Sequence, residues 1–153
     1  MTTETYHPHL IPQDRFIEFI TAGKATFTLK STSTGSWFTY KSEYVEQFGE
    51  KKLVIRLLNG SDNESSYTYL CTIKLVNELP MILRERSKIS ATAKSFVIFD
   101  MVFYRLLCRM PFNNLEIWHE GRCRRCGRKL TVPESIEAGV GPECAGRSNM
   151  FQL

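Results

Sequence analysis

Lys24-Ala25-Thr26-Phe27-Thr28-Leu29-Lys30 alternates apolar and polar side chains with a period of two, the pattern of a strand half buried in a sheet. Ala25, Phe27 and Leu29 share one face, and Thr26, Thr28 and Lys30 share the other. Ser31-Thr32-Ser33-Thr34-Gly35-Ser36 reads as a turn, after which Trp37 to Ser42, rich in aromatics and threonine, returns as a second strand. A charged connection, Glu43 to Lys52, leads into Leu53-Val54-Ile55-Arg56-Leu57-Leu58, an apolar run suited to a central strand. Residues 59–66 are dense in turn formers, and Tyr67, Tyr69, Cys71 and Ile73 then alternate with Thr68, Leu70 and Thr72 as a fourth strand. Short loops between successive strands predict an antiparallel four-stranded meander.

Upstream, residues 1–13 carry His7, Pro8, His9 and Pro12 with little periodicity and read as an extended arm. Asp14 is placed to cap a short helix bearing Phe16, Ile17, Phe19 and Ile20, with Gly23 as its stop. Downstream, Pro80 to Lys88 reads as a basic linker. Ser90 or Thr92 then caps the longest helix of the chain, running to about Arg109. Apolar residues cover most of that helix's circumference, so it is expected to be buried across one face of the sheet. Leu115 to Trp118 forms a short last strand. The expected fold class is therefore α+β: a β-meander packed by a long helix, with a C-terminal zinc knuckle. The expected division is an arm at 1–13, an α+β domain at 14–118, a zinc-binding module at 119–147 and a tail at 148–153.

The chain has 153 residues, a formal net charge of +4 and 42% hydrophobic residues, which excludes a largely disordered polypeptide. No window approaches the ~18 apolar residues of a membrane span, and the N-terminus lacks the basic-then-apolar signature of an export signal. A cytoplasmic location is expected, where five cysteines read as metal ligands or buried thiols before disulfides. Charge is concentrated in one place: Arg122, Arg124, Arg125, Arg128 and Lys129 put five cations into eight residues with no acid among them.

That cationic run is interleaved with Cys123 and Cys126, and Cys144 follows. Two thiolates separated by two residues let one tight turn present both sulfurs to a single tetrahedral ion, and Gly127 suits the curl of such a knuckle. Pro133, Glu134, Glu137 and Gly139 outline a short helix, after which Gly141-Pro142-Glu143-Cys144 delivers a third sulfur. His119 can complete a Cys3His site; water, Glu120 or Glu143 is the alternative fourth ligand. Sulfur and imidazole donors select Zn2+ over hard cations. A redox dithiol is the competing reading of Cys123 and Cys126, but the βαβ context of such sites is missing. Cys71 and Cys108 lie on apolar elements and read as packing residues, while His7 and His9 read as solvated. Asp62, Asn63 and Glu64 read as a polar turn rather than a cation loop. Trp37, Phe38 and Tyr40 could stack on bases, although alternating aromatics on a strand more often pack.

The run from Trp118 to Cys126, then Gly127-Arg128-Lys129-Leu130-Thr131-Val132-Pro133-Glu134-Ser135-Ile136 and Gly141-Pro142-Glu143-Cys144-Ala145, resembles the signature of a family of small, uncharacterised zinc-ribbon-like proteins of bacteriophages and prophages. Segments 25–40 and 57–73 are similar to the β-rich front half of many members, so the likeness covers about residues 14–147. The resemblance implies a phage or prophage setting, hence a host cytoplasm, and a Cys/His zinc site that includes His119. It implies no activity. Arg124 departs from the glycine usual in that family, which adds charge without touching a ligand.

Two functions are expected from these residues. The first is a non-catalytic zinc-containing binding protein whose Arg122, Arg124, Arg125, Arg128 and Lys129 contact nucleic-acid phosphates. The second is a protein-interaction module that docks on a host enzyme or antiviral defence complex and inhibits it. An enzyme is the weakest reading, because four protein ligands leave zinc no position for water. No membrane partner and no small-molecule substrate are expected.

Overall fold

Alternation carries the chain further into the sheet than its composition suggests. The structure, a computed structural model, describes residues 10–59 and 66–119. In chain order it contains β1 (Leu10–Ile11), a 3-10 turn (Gln13–Arg15), α1 (Phe16–Ile20), β2 (Lys24–Ser31) and β3 (Trp37–Gln47). These are followed by β4 (Glu50–Leu58), β5 (Tyr67–Val76), β6 (Leu79–Leu83), α2 (Lys94–Leu107) and β7 (Leu115–His119). The strands form one seven-stranded sheet in the order β1-β7-β2-β3-β4-β5-β6, and every pairing is antiparallel.

This corrects the expected fold class. The described residues are mainly an antiparallel sheet of seven strands with two short helices, not an α+β domain in which a long helix packs a four-stranded meander. The charged segment 43–52 continues both strands, because Glu43, Lys52 and their neighbours point alternately to the solvated face. Its reversal is confined to Phe48 and Gly49, both at positive φ (54° and 77°), the conformation of a two-residue hairpin turn. The basic linker at 80–88 likewise begins as β6, reached through a second such turn at Asn77 and Glu78. Leu10 and Ile11, expected in the arm, pair with Trp118 and Ile117.

The helix is also shorter and more one-sided than expected. It starts at Lys94 behind Ala93, which is extended and offers no side-chain cap, while Ser90 and Thr92 bond to each other at 2.8 Å. Asp14 lies within the 3-10 turn, and Arg15 precedes α1 without a capping bond. Phe96, Phe99, Val102, Phe103 and Leu106 of α2 are buried, whereas Val97, Met101 and Tyr104 remain exposed. The sheet therefore covers a single stripe of the helix.

The core lies between the helices and one face of the sheet. Phe27 of β2 stands edge-on to Phe16 of α1 at 5.5 Å and stacks on Tyr40 of β3 at 5.4 Å. Phe99 of α2 closes on Tyr40 at 5.5 Å, and the Tyr40 hydroxyl donates to the Ser95 carbonyl at 2.6 Å. A register shift between Ile55 and Arg56 leaves Leu70 as an extra residue on β5, so Leu70 and Cys71 both turn inward and are fully buried. At the outer edge, the Ile82 amide donates to the Tyr104 hydroxyl at 3.0 Å, tying β6 to α2. Gln13 binds the strand-leading loop through both side-chain ends: its Nε2 donates to the carbonyls of Phe112 and Leu115, and its Oε1 accepts from the Phe112 amide.

Candidate metal centre and nucleic-acid interface

β7 is laid between β1 and β2, which brings its last residue, His119, opposite Phe27. The parity of the strand turns Ile117 and His119 toward the helices, and Glu116 and Trp118 to the opposite face. His119 is only 4% exposed, its ring 6.0 Å from that of Phe19. His119 is the one member of the expected metal site that lies among the described residues. Cys123, Cys126 and Cys144, with the alternative ligands Glu120 and Glu143, lie outside the described residues. So do Arg122, Arg124, Arg125, Arg128 and Lys129, the short helix at 133–139, the tail at 148–153, His7 and His9, and the turn with Asp62, Asn63 and Glu64.

Among the described residues no group of three His, Cys, Asp or Glu side chains could hold a metal ion. Cys71 and Cys108 are free thiols, the first buried and the second exposed. Burial pushes the Cys71 thiol up to about 12, with Asp100 opposing its ionisation further and Arg84 partly relieving it, so it stays protonated and inert at neutral pH. No helix among the described residues is long and apolar enough to cross a membrane.

The second surface is the face of the sheet opposite the helices. Register fixes its rows of side chains. Trp118 on β7 lies beside Thr28 on β2, which pairs with Thr39 on β3 and shares a 2.8 Å hydroxyl contact with it. The neighbouring row runs Glu116, Lys30, Trp37, and the next on the other side runs Thr26, Lys41, Arg56, Tyr69. Trp37 is 60% exposed. Lys41 sets its ammonium 4.2 Å from the ring centre of Tyr67, and Arg56 bonds Glu43 at 3.2 Å. Glu50 accepts from Lys74 at 2.9 Å and lies 3.5 Å from Lys52; the Lys74 ammonium holds its carboxyl below the usual range. A shallow groove of about 390 Å³ runs along this side between Val54, Tyr69, Thr72 and Lys74.

The three aromatics weighed for base stacking are separated by the fold. Tyr40 is fully buried, Phe38 packs against the core, and only Trp37 faces solvent. Lys30, Lys41 and Trp118 were not legible as members of one surface, because strand order placed β7 next to β2. The available signal was parity, since Thr28 and Lys30 already faced away from Phe27.

The described residues thus form an antiparallel β-sheet with helices on one face, and a cysteine- and arginine-rich segment follows them in sequence. Residues 118–149 match the model of a family of unknown function (DUF6011). That match starts one residue before the end of β7. No curated protein and no solved structure matches the chain.

Proposed function

We propose that this is a non-catalytic, zinc-containing binding protein of phage or prophage origin, which presents the basic segment 122–129 to nucleic acid. The observation that carries the reading is the burial of His119 at the end of β7. It fixes the strand end after which the cationic run begins, three residues on in sequence. In this reading Cys123, Cys126 and Cys144 hold zinc together with His119. When bound, the metal supplies a rigid cross-link rather than chemistry on a substrate. Arg122, Arg124, Arg125, Arg128 and Lys129 then meet phosphates, and their proximity favours the thiolate form of the neighbouring cysteines.

Elemental analysis of purified protein should give about one zinc per chain, lost in Cys126→Ser and kept in Cys71→Ala. Gel-shift titrations with salt should show binding that weakens steeply as salt rises and is reduced in an Arg124→Ala/Arg125→Ala double variant. Retained zinc in Cys126→Ser would defeat the metal site. No shift at low salt would defeat the nucleic-acid reading and leave a host protein as the partner to seek.

A further inference from the structure

We infer that the end of the sheet carrying the β3–β4 and β5–β6 turns docks a second copy of this chain, face to face across a two-fold axis. The inference stands apart from the zinc and nucleic-acid readings, because none of its residues belongs to them.

The register builds the surface. Gln47 pairs with Glu50 and Val76 with Leu79, and Lys52 opposite Lys74 sets those two pairs level. Both two-residue turns therefore project from the same end of the sheet. On the face away from the helices, Val45, Val54, Val76, Leu79, Met81 and Leu83 give this corner an apolar floor. Leu79 is 67% exposed, and Phe48, in the first turn, is 97% exposed. Phe48 also has φ 54°, a conformation that a bulky residue adopts only at a cost, and at that exposure packing within its own copy does not offset it. Beside it, the groove of about 390 Å³ between Val45, Val54, Thr72 and Leu83 has room for an aromatic side chain. Val45 precedes Phe48 by three residues, so groove and turn lie about 10 Å apart along the strands. A two-fold axis running across the strands between them puts each Phe48 over the other copy's groove, the reciprocity that an isologous contact requires.

Charge and edge chemistry select the occupant. The cations of this corner are Lys51, Lys52, Arg56, Lys74 and Arg86. Its carboxylates, equal in number, are Glu43, Glu46, Glu50, Glu78 and Glu85. Arg56 bonds Glu43, and Lys52 and Lys74 both reach Glu50. Lys24, opposite Glu43 on β2, is the first cation beyond the corner. In a chain of net charge +4, two copies therefore meet here without the repulsion that the rest of the molecule brings. A balanced surface of this kind gives a phosphodiester strand or an anionic membrane little to hold. At the edge of β6, Pro80 has no N–H, and the Ile82 amide is taken by the Tyr104 hydroxyl, so neither can donate to another strand. The copies thus meet by faces and not by edges. An open phenylalanine alone offers about 150–250 Å², and Leu79, Met81 and Val76 on both copies bring the contact to the roughly 1,000 Å² that a specific interface needs.

The test is sedimentation equilibrium of the full-length protein between about 1 and 200 μM, where a monomer–dimer equilibrium is expected. Phe48→Ser and Leu79→Lys should each weaken the dimer about tenfold or more, whereas Met101→Lys, on the exposed side of α2, should leave it unchanged. Val54→Lys, in the groove, should weaken it equally. An equal mixture of Phe48→Ser and Val54→Lys keeps one intact Phe48–groove contact, so it should associate more tightly than either variant alone. Thermal melts of each variant establish that it is folded. A monomer at every concentration overturns the inference and leaves a different protein as the occupant. Dimerisation unchanged in folded Phe48→Ser and Leu79→Lys overturns it too, by placing the contact on another face. A mixture no tighter than its components overturns the reciprocal arrangement.

Discussion

Ser42 sits on the core face of β3 between Ala25 and Ile55, and its hydroxyl is buried without a hydrogen-bond partner. Desolvating a hydroxyl with nothing to bond costs stability that alanine would not lose, so Ser42→Ala should stabilise the protein by up to about 1 kcal/mol in urea melts. A loss of comparable size would mean that the hydroxyl has a partner in solution. Tyr40, whose hydroxyl donates to the Ser95 carbonyl, illustrates the opposite case of a polar atom kept satisfied by an element distant in sequence. Local sequence identified Tyr40 as a strand residue and left its direction open. Only the packing of α2 above β3 distinguishes the buried Tyr40 from the exposed Trp37, three positions earlier.

The termination of α2 belongs to the scale of the element. Arg109 adopts φ 60°, the Met110 amide donates to the Arg105 carbonyl at 2.8 Å, and the Arg109 amide donates to Leu106 at 3.1 Å. These two bonds close the helix with a left-handed residue at the position usually given to glycine. Arg109→Gly should therefore raise stability by about 0.5–1 kcal/mol, seen as a higher urea midpoint at unchanged slope. A lower midpoint would show that the Arg109 side chain contributes more than its backbone strain costs. The strand ends were less legible than the helix. Segment 43–52 carries enough charge to read as a loop, yet a strand with one solvated face tolerates that charge at alternate positions.

At the scale of the molecule, one aromatic cluster joins both helices to the middle of the sheet. Phe99 touches Phe27, Tyr40 and Phe103 and is fully buried, so Phe99→Ala should cost about 3–5 kcal/mol, enough to threaten a domain of ordinary stability. Melting at or near room temperature is the expected readout, and a variant as stable as wild type would disprove the placement of α2. The same burial sets an alkaline limit. The Cys71 thiol is raised from 9.0 to about 12 by desolvation, and burial raises the Tyr40 phenol as well. Below pH 9 folded and unfolded chains both keep the thiol proton. Above it the unfolded chain releases the proton and the folded chain does not, so stability falls as pH rises from 9 to about 12, by at most ~1.4 kcal/mol per pH unit for each group. Cys71→Ala should flatten part of that slope while leaving the neutral-pH end little changed; an identical slope would place the thiol in contact with water.

Alternation in 24–30 and the aromatic- and threonine-rich run 37–42 are properties of neighbouring residues, so these strands were legible before any fold was known, whereas the one-sided burial of α2 was not. The spacing of Cys123, Cys126 and Cys144 is local in the same sense, and carries its metal hypothesis without help from the sheet. Strand count, order and the choice of covered face are different in kind. They arise when distant segments compete for the same hydrogen-bonding edge and the same apolar surface, and that competition put β7 between β1 and β2. In doing so it buried His119 under α1 and ranged Trp118, Lys30 and Trp37 along one solvated surface, an arrangement that no single stretch of chain encodes.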